Sequence, residues 1–130
     1  METIYVKNAL PVKGHYSPAI RDGNLLYISG QLPINQLTGE HCGGDIQDQA
    51  KQIFENFNNL LIAAGTQKNQ VLKVVIYITD IQEWELVNAA YEFFFGDHYP
   101  ARSIVPVKPL HYGFKMEMEG IAKIPLEDCK

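Results

Sequence analysis

The chain has 130 residues, of which 46% are hydrophobic and 20% charged, and its net charge is -4. That length matches one ordinary domain with enough apolar content to bury a core, so disorder and a multi-domain chain are both excluded from the expectation. The acidic balance argues against a nucleic-acid surface, which shows a basic patch, and the lack of any run of 18 apolar residues argues against a membrane helix.

Met1 begins a polar stretch rather than a basic segment followed by an apolar one, so a soluble, cytoplasmic protein is expected. The two cysteines, Cys42 and Cys129, lie far apart with no C-x-x-C pair and read as reduced thiols. The four histidines, His15, His41, His98 and His111, lack metal-ligand spacing, so no metal is expected.

In chain order, Thr3 to Val6 reads as a short strand, followed by turn chemistry at Pro11 and Gly14. Ser17 to Arg21 and Leu25 to Ser29 read as a hairpin around Asp22, Gly23 and Asn24, with Gly30 ending the second strand. Gln31 to Gly44, rich in glycine, proline and asparagine, reads as an irregular surface loop, and it carries no phosphate-binding fingerprint. Asp45 is an N-cap for a helix that runs to Ala64 before Gly65. Its apolar stripe is Ile46, Ala50, Ile53, Phe54, Phe57, Leu60, Leu61 and Ala64.

Val71 to Thr79 is β-branched and almost wholly apolar, the pattern of a central strand covered on both faces. Asp80 and Glu83 make a capping-box-like start to a second helix whose buried stripe is Trp84, Val87, Tyr91 and Phe94, ending near Gly96. The order is then βββαβαββ: an α+β domain with a mixed six-stranded sheet and two helices on one face. Leu26, Ile28, Ile76, Ile78, Ile104 and Met118 are more apolar side chains than two helices need, which points to a second covered face and a homo-oligomer.

The last third carries the candidate chemistry. Arg102 opens a β-branched run, and Lys115 to Glu119 alternates charged and apolar residues with period two. These two segments read as neighbouring strands. Glu117 then shares one face with Lys115 and Glu119, opposite Met116 and Met118. A guanidinium fixed at a strand start can clamp a carboxylate through two parallel hydrogen bonds. The plainer reading is that Arg102 and Glu117 pair with each other or with solvent.

The segments GHYSPAI, LYISGQLPIN with TGE, DIQDQAKQIFENFNNLLIAAG, VNAAYEFFF, PARS and KMEMEGIA resemble the RidA family, also called YjgF/YER057c/UK114, over nearly the whole chain. The resemblance implies a chorismate-mutase-like fold assembled as a homotrimer with sites between subunits. It implies hydrolysis of reactive enamines and imines such as 2-aminoacrylate and 2-iminobutanoate to 2-oxo acids and ammonia, without a cofactor. A pyridoxal-phosphate-dependent enzyme would be the upstream source. By the same resemblance Arg102 binds the substrate carboxylate, and Glu117 holds or activates water. Tyr16 and Ser29 line the pocket, Gly30 offers a backbone amide, Asn88 stands near the site, and Ile104 presents a backbone carbonyl where many members have cysteine.

His15, Pro18 and the loop Lys108 to Phe114 depart from the common family pattern. Two other function classes remain: a non-catalytic module that binds small carboxylates, and an endoribonuclease, which the net charge of -4 and the lack of a Lys/Arg cluster disfavour.

Overall fold

In the computed structural model, which describes residues 1–126, the long helix α1 (Ile46–Ala63) starts where the sequence places its cap. The Asp48 amide donates to the Asp45 carboxylate at 2.9 Å, and the Asp45 amide donates back to the Asp48 carboxylate at 3.3 Å. This reciprocal pair satisfies two amides that the first helical turn would leave unpaired. All eight residues of the apolar stripe are buried.

The strands are β1 (Glu2–Ile4), β2 (Ala19–Asp22), β3 (Leu25–Gln31), β4 (Val71–Ile78), β5 (Ala101–Pro106) and β6 (Met116–Lys123), with α2 (Trp84–Phe95) between β4 and β5. The order of elements is the expected one. Cys129 falls outside the described residues. The hairpin expected around Gly23 is present, with Asp22 paired to Leu25. Gly23 takes the φ of 62° that such a tight turn requires and that glycine adopts without strain.

The sheet order is β1-β2-β3-β6-β4-β5, with β4 and β5 parallel and every other pair antiparallel. The segments carrying Arg102 and Glu117 are therefore not neighbours, because β4 lies between β5 and β6. The helix α2 carries the chain across to make β5 parallel to β4, and the last strand enters the sheet between β3 and β4. Period-two alternation shows that a segment is a strand but not which strands flank it.

Pairing also decides the faces. Met116, Met118, Gly120 and Ala122 of β6 are buried towards the helices, in register with Ile78, Ile76, Val74 and Val71 of β4. Leu26 and Ile28 lie in register with Ala122 and Gly120 on the same side. Leu26, Ile28, Ile76, Ile78 and Met118 thus form the core under the helices, with Ile104 packed beside them. They are not an uncovered face. The open face instead carries Tyr27, Val75, Tyr77, Val105 and Ile121 around Glu117 and Glu119, all left partly or largely exposed. β4 is accordingly covered on one face only, and its burial alternates from Val74 onward.

Two local expectations at α2 also change. Asp80 accepts from the Gln82 amide at 2.9 Å and caps a 3-10 turn, Ile81–Glu83, so the helix itself starts without a side-chain cap. The buried stripe of α2 is Val87, Tyr91 and Phe95, whereas Trp84 is 37% exposed and Phe94 only partly buried. Val87 and Tyr91 are buried as expected, so the difference is confined to the two ends of the stripe.

Helix and sheet approach closely where Phe57 lies over Gly120. A Cβ at Gly120 would lie 2.8 Å from the Phe57 ring and 2.9 Å from the Lys73 carbonyl. Both neighbours are fixed, the ring by complete burial and the carbonyl by the backbone. Gly120→Ala is therefore expected to destabilise the fold by about 1–3 kcal/mol, read as a lower urea midpoint at unchanged slope.

Candidate active site

Glu117 projects from the open face of β6, where Tyr77 of β4 stands opposite it in register. The Tyr77 hydroxyl donates to Glu119, the next carboxylate on the same face. This bond is the first cause that pushes the Tyr77 hydroxyl up to about 12, followed by burial and by the charges of Glu119 and Glu117. The Glu117 carboxyl is also raised, from its ordinary value of 4.5, chiefly by burial and then by the Glu119 charge, while His111 pulls it the other way. Two carboxylates on one strand are thus placed differently: Glu119 accepts a hydrogen bond from a phenol, and Glu117 holds its own proton more readily.

Across from Glu117 the strand β3 does not end at Gly30. It runs to Gln31 through an irregularity: Ile28 pairs with Gly120, but Gln31 pairs with Met118, so β3 carries one extra residue around Ser29 and Gly30. A Cβ at Gly30 would collide with the Glu117 carboxylate, whose Cδ lies 3.0 Å from that position. Glycine here is what lets Glu117 lie against the bulge. Ser29 is held from both ends, since its amide donates to the Pro18 carbonyl at 3.0 Å and its hydroxyl to the Ser17 carbonyl at 2.6 Å. Tyr16 and Ser29 line an open cleft of about 720 Å³ together with His15, Ser17 and Tyr27. Tyr16 is half exposed there.

Arg102 lies in register with Val74, so it sits on the helix side of the edge strand β5. Its Nη1 donates to the Asn88 side-chain carbonyl at 2.9 Å. Its guanidinium carbon is 4.6 Å from the centre of the Tyr91 ring and 5.6 Å from that of Trp84. Among the described residues it makes no ion pair, because the one such pair joins Lys115 to Glu83 at 4.0 Å. Ile104, two residues along, packs its side chain on the core, in register with Ile76.

The site residues therefore fall into two groups. Tyr16, Ser29, Gly30 and Glu117 gather on the open face, and Asn88, Arg102 and Ile104 gather beside α2. Within the chain Arg102 and Glu117 do not come together, since they project from opposite faces of the sheet. The expectations from sequence place Glu119 on the face of Glu117 but set neither Tyr77 nor His111 beside it, and neither Trp84 nor Tyr91 beside Arg102. A signal for two of them exists: Trp84, Asn88 and Tyr91 follow one another at four and three residues, which puts a lone amide between two aromatic rings on one helix face.

Residues 6–124 match the family model described as endoribonuclease L-PSP. The chain belongs to the RidA family. A RutC family protein of Pyrococcus horikoshii is 43% identical over 93% of this chain and 96% of its own length. The 2-iminobutanoate/2-iminopropanoate deaminase of Escherichia coli is 37% identical, with 93% of this chain and 96% of the relative covered. The crystal structure of Escherichia coli TdcF with bound serine superposes at a TM-score of 0.89 and 34% identity, covering 96% of this chain and 100% of the other. Across this RidA fold no helix of the described residues is long and apolar enough to cross a membrane. Among the same residues no three His, Cys, Asp or Glu side chains group as metal ligands.

The raised Glu117 carboxyl has a consequence for stability with a definite sign. A carboxyl whose folded pKa lies above its unfolded value favours folding while protonated, and that contribution is lost as pH rises through the folded pKa. Glu117→Gln, which mimics the protonated form, is expected to raise the melting temperature at pH 7. The gain should disappear below pH 4.5, the ordinary value of the group, as followed by thermal melts across that range.

Proposed function

We propose that the protein hydrolyses reactive imines and enamines of 2-oxo acids, such as 2-iminobutanoate and 2-aminoacrylate, to the 2-oxo acid and ammonia. The observation that carries this reading is Glu117 itself, a half-buried carboxyl of raised pKa seated on Gly30, the residue after Ser29, which lines an open cleft. A carboxyl poised to hold and release a proton is what addition of water to a C=N bond requires. The 2-iminobutanoate/2-iminopropanoate deaminase of Escherichia coli, 37% identical, and the equally similar TdcF, named for reactive intermediate deamination, support the substrate class.

On this reading the protein works as a homotrimer. The open sheet face of one protomer is covered by another, and the Arg102 group of one chain meets the Glu117 group of its neighbour. The mixed apolar and tyrosine character of that face supports such burial, and so does the separation of the two groups within one chain. Arg102 anchors the substrate carboxylate through the donors that Asn88 leaves free, which turns an encounter into a fixed geometry. Water adds to the imine carbon, and Glu117 takes one of its protons and passes it to nitrogen, giving the tetrahedral aminol. The aminol hydroxyl then gives up the second proton, which Glu117 relays to the amine, so the C–N bond breaks to release ammonia and the C–O bond becomes the 2-oxo group.

Ser29 and the Gly30 amide line the water side, and Tyr16 borders the cleft. Ile104 contributes a backbone carbonyl, its side chain being committed to the core. The chemistry needs no cofactor. The imine would be supplied by a pyridoxal-phosphate-dependent enzyme in the cytoplasm.

A second reading is favoured by the serine bound in the TdcF structure: the same cleft binds small amino or oxo acids without turning them over. Two variants separate the readings. Glu117→Gln should lower hydrolysis of 2-iminobutanoate, generated in place by a dehydratase, by roughly 100- to 10,000-fold, with 2-oxobutanoate still bound. Arg102→Ala should lose both. Both must sediment as the wild type does, with a trimer expected, and wild-type turnover by Glu117→Gln would overturn the proton-transfer role. Ile104→Ser should keep most of the turnover, measured as 2-oxo acid release, because its assigned role is played by the backbone.

A further inference from the structure

The geometry points to Trp84 and Tyr91 as positioning residues that hold the Arg102 guanidinium between two aromatic rings, so that it meets a carboxylate in one fixed orientation. This inference rests on the carboxylate-binding role proposed above for Arg102.

Three contacts fix the group. The Tyr91 ring lies 4.6 Å from the guanidinium carbon and the Trp84 ring 5.6 Å from it, both within the range in which a cation is attracted to a ring face. Asn88 Oδ1 accepts from Nη1 at 2.9 Å and orients the fork between the rings. The amide is itself steadied, since its Nδ2 donates to Glu92 at 3.3 Å. All three residues come from α2, and their spacing places them on one face of a rigid element.

The cradle supplies no carboxylate. An acidic residue in place of Asn88 would neutralise the guanidinium, whereas an amide and two rings orient it and leave its charge and remaining donors available. The rings also differ in their setting. Tyr91 is 6% exposed and its hydroxyl is buried without a hydrogen-bond partner. Such an orphan costs free energy that a phenylalanine would not, so the position is not optimised for packing alone. Burial also pushes that hydroxyl up to about 12, which keeps it neutral beside the cation. Trp84 is 37% exposed, at the first turn of the helix, where it forms the outer wall of the cradle. Its exposure makes no sense as core packing, but it suits a ring that faces a cation reached from solvent.

Trp84 is the only tryptophan in the chain, so its fluorescence reports directly on what occupies Arg102. Titration of the wild-type protein with 2-oxobutanoate should change that emission saturably, and Arg102→Ala should abolish the change. Trp84→Leu removes the outer ring at a half-exposed position and should fold normally. It is expected to raise KM for 2-iminobutanoate, and the Kd of 2-oxobutanoate by calorimetry, by roughly 2- to 30-fold, with kcat within about twofold of wild type. Trp84→Phe should recover part of the loss.

A readout independent of any substrate is the 15N relaxation of the Arg102 Nε–H group in the ligand-free protein. Trp84→Leu should lower its order, and Trp84→Phe should restore it in part. Unchanged order together with unchanged Kd in Trp84→Leu would overturn the cradle. A wild-type protein that neither binds 2-oxobutanoate nor hydrolyses the imine would overturn the functional reading instead, while loss of order in Trp84→Leu would still support the cradle.

Discussion

The insertion of β6 between β3 and β4 is the constraint on which the rest depends. That strand hydrogen-bonds on both edges and joins the β1-β2-β3 meander to the parallel β4-β5 unit. The pleat then sorts its side chains with no further choice: Met116, Met118 and Ala122 go to the helices, and Glu117 and Glu119 go to the open face. Gly120 completes the arrangement by admitting Phe57 at the centre of the sheet. Once those contacts form, the direction of Glu117 is no longer adjustable.

The same constraint places Arg102. β5 takes its register from β4, so Arg102 inherits the face of Val74 and turns towards α2. What looks in the sequence like a clamp and a base fifteen residues apart becomes two groups on opposite sides of one sheet. Each has its own surroundings. Glu117 is tuned by burial, Glu119 and His111, and Arg102 is oriented by Asn88 and two rings. The loop that carries His111 is itself fixed, with Tyr112 held at a φ of 60° next to His111 and against Phe114, which is buried. A left-handed non-glycine residue of this kind persists where its surroundings over-determine it.

Local structure was largely legible in the sequence. The Asp45 cap, the α1 stripe and the hairpin at Gly23 come from short-range signals that act over three to seven residues. The partners of β6 and the faces of Leu26, Ile28 and Ile76 were not legible, because which neighbour a strand chooses is settled by contacts between distant segments. In α2 the middle of the stripe, Val87 and Tyr91, was legible and its ends were not: Trp84 follows directly on the 3-10 turn that Asp80 caps and stays exposed, and Phe95 rather than Phe94 is the buried one. The bulge at Ser29 and Gly30 leaves only an ambiguous trace, since a glycine after a strand reads equally as its end. Candidate residues were easier to name than to place: Arg102 and Glu117 carry distinctive chemistry, but their separation is a property of the sheet.

The division of the site across the sheet bears on how the assembly tolerates damage. In the proposed trimer each site draws its cation from one chain and its carboxyl from the next. A chain lacking Arg102 and a chain lacking Glu117 are then complementary, because the sound half of each can face the sound half of the other. Mixed assemblies of two inactive chains would contain intact sites, and a defective allele would be partly masked by a second, different one. A fold that placed both groups on one face would have no such redundancy.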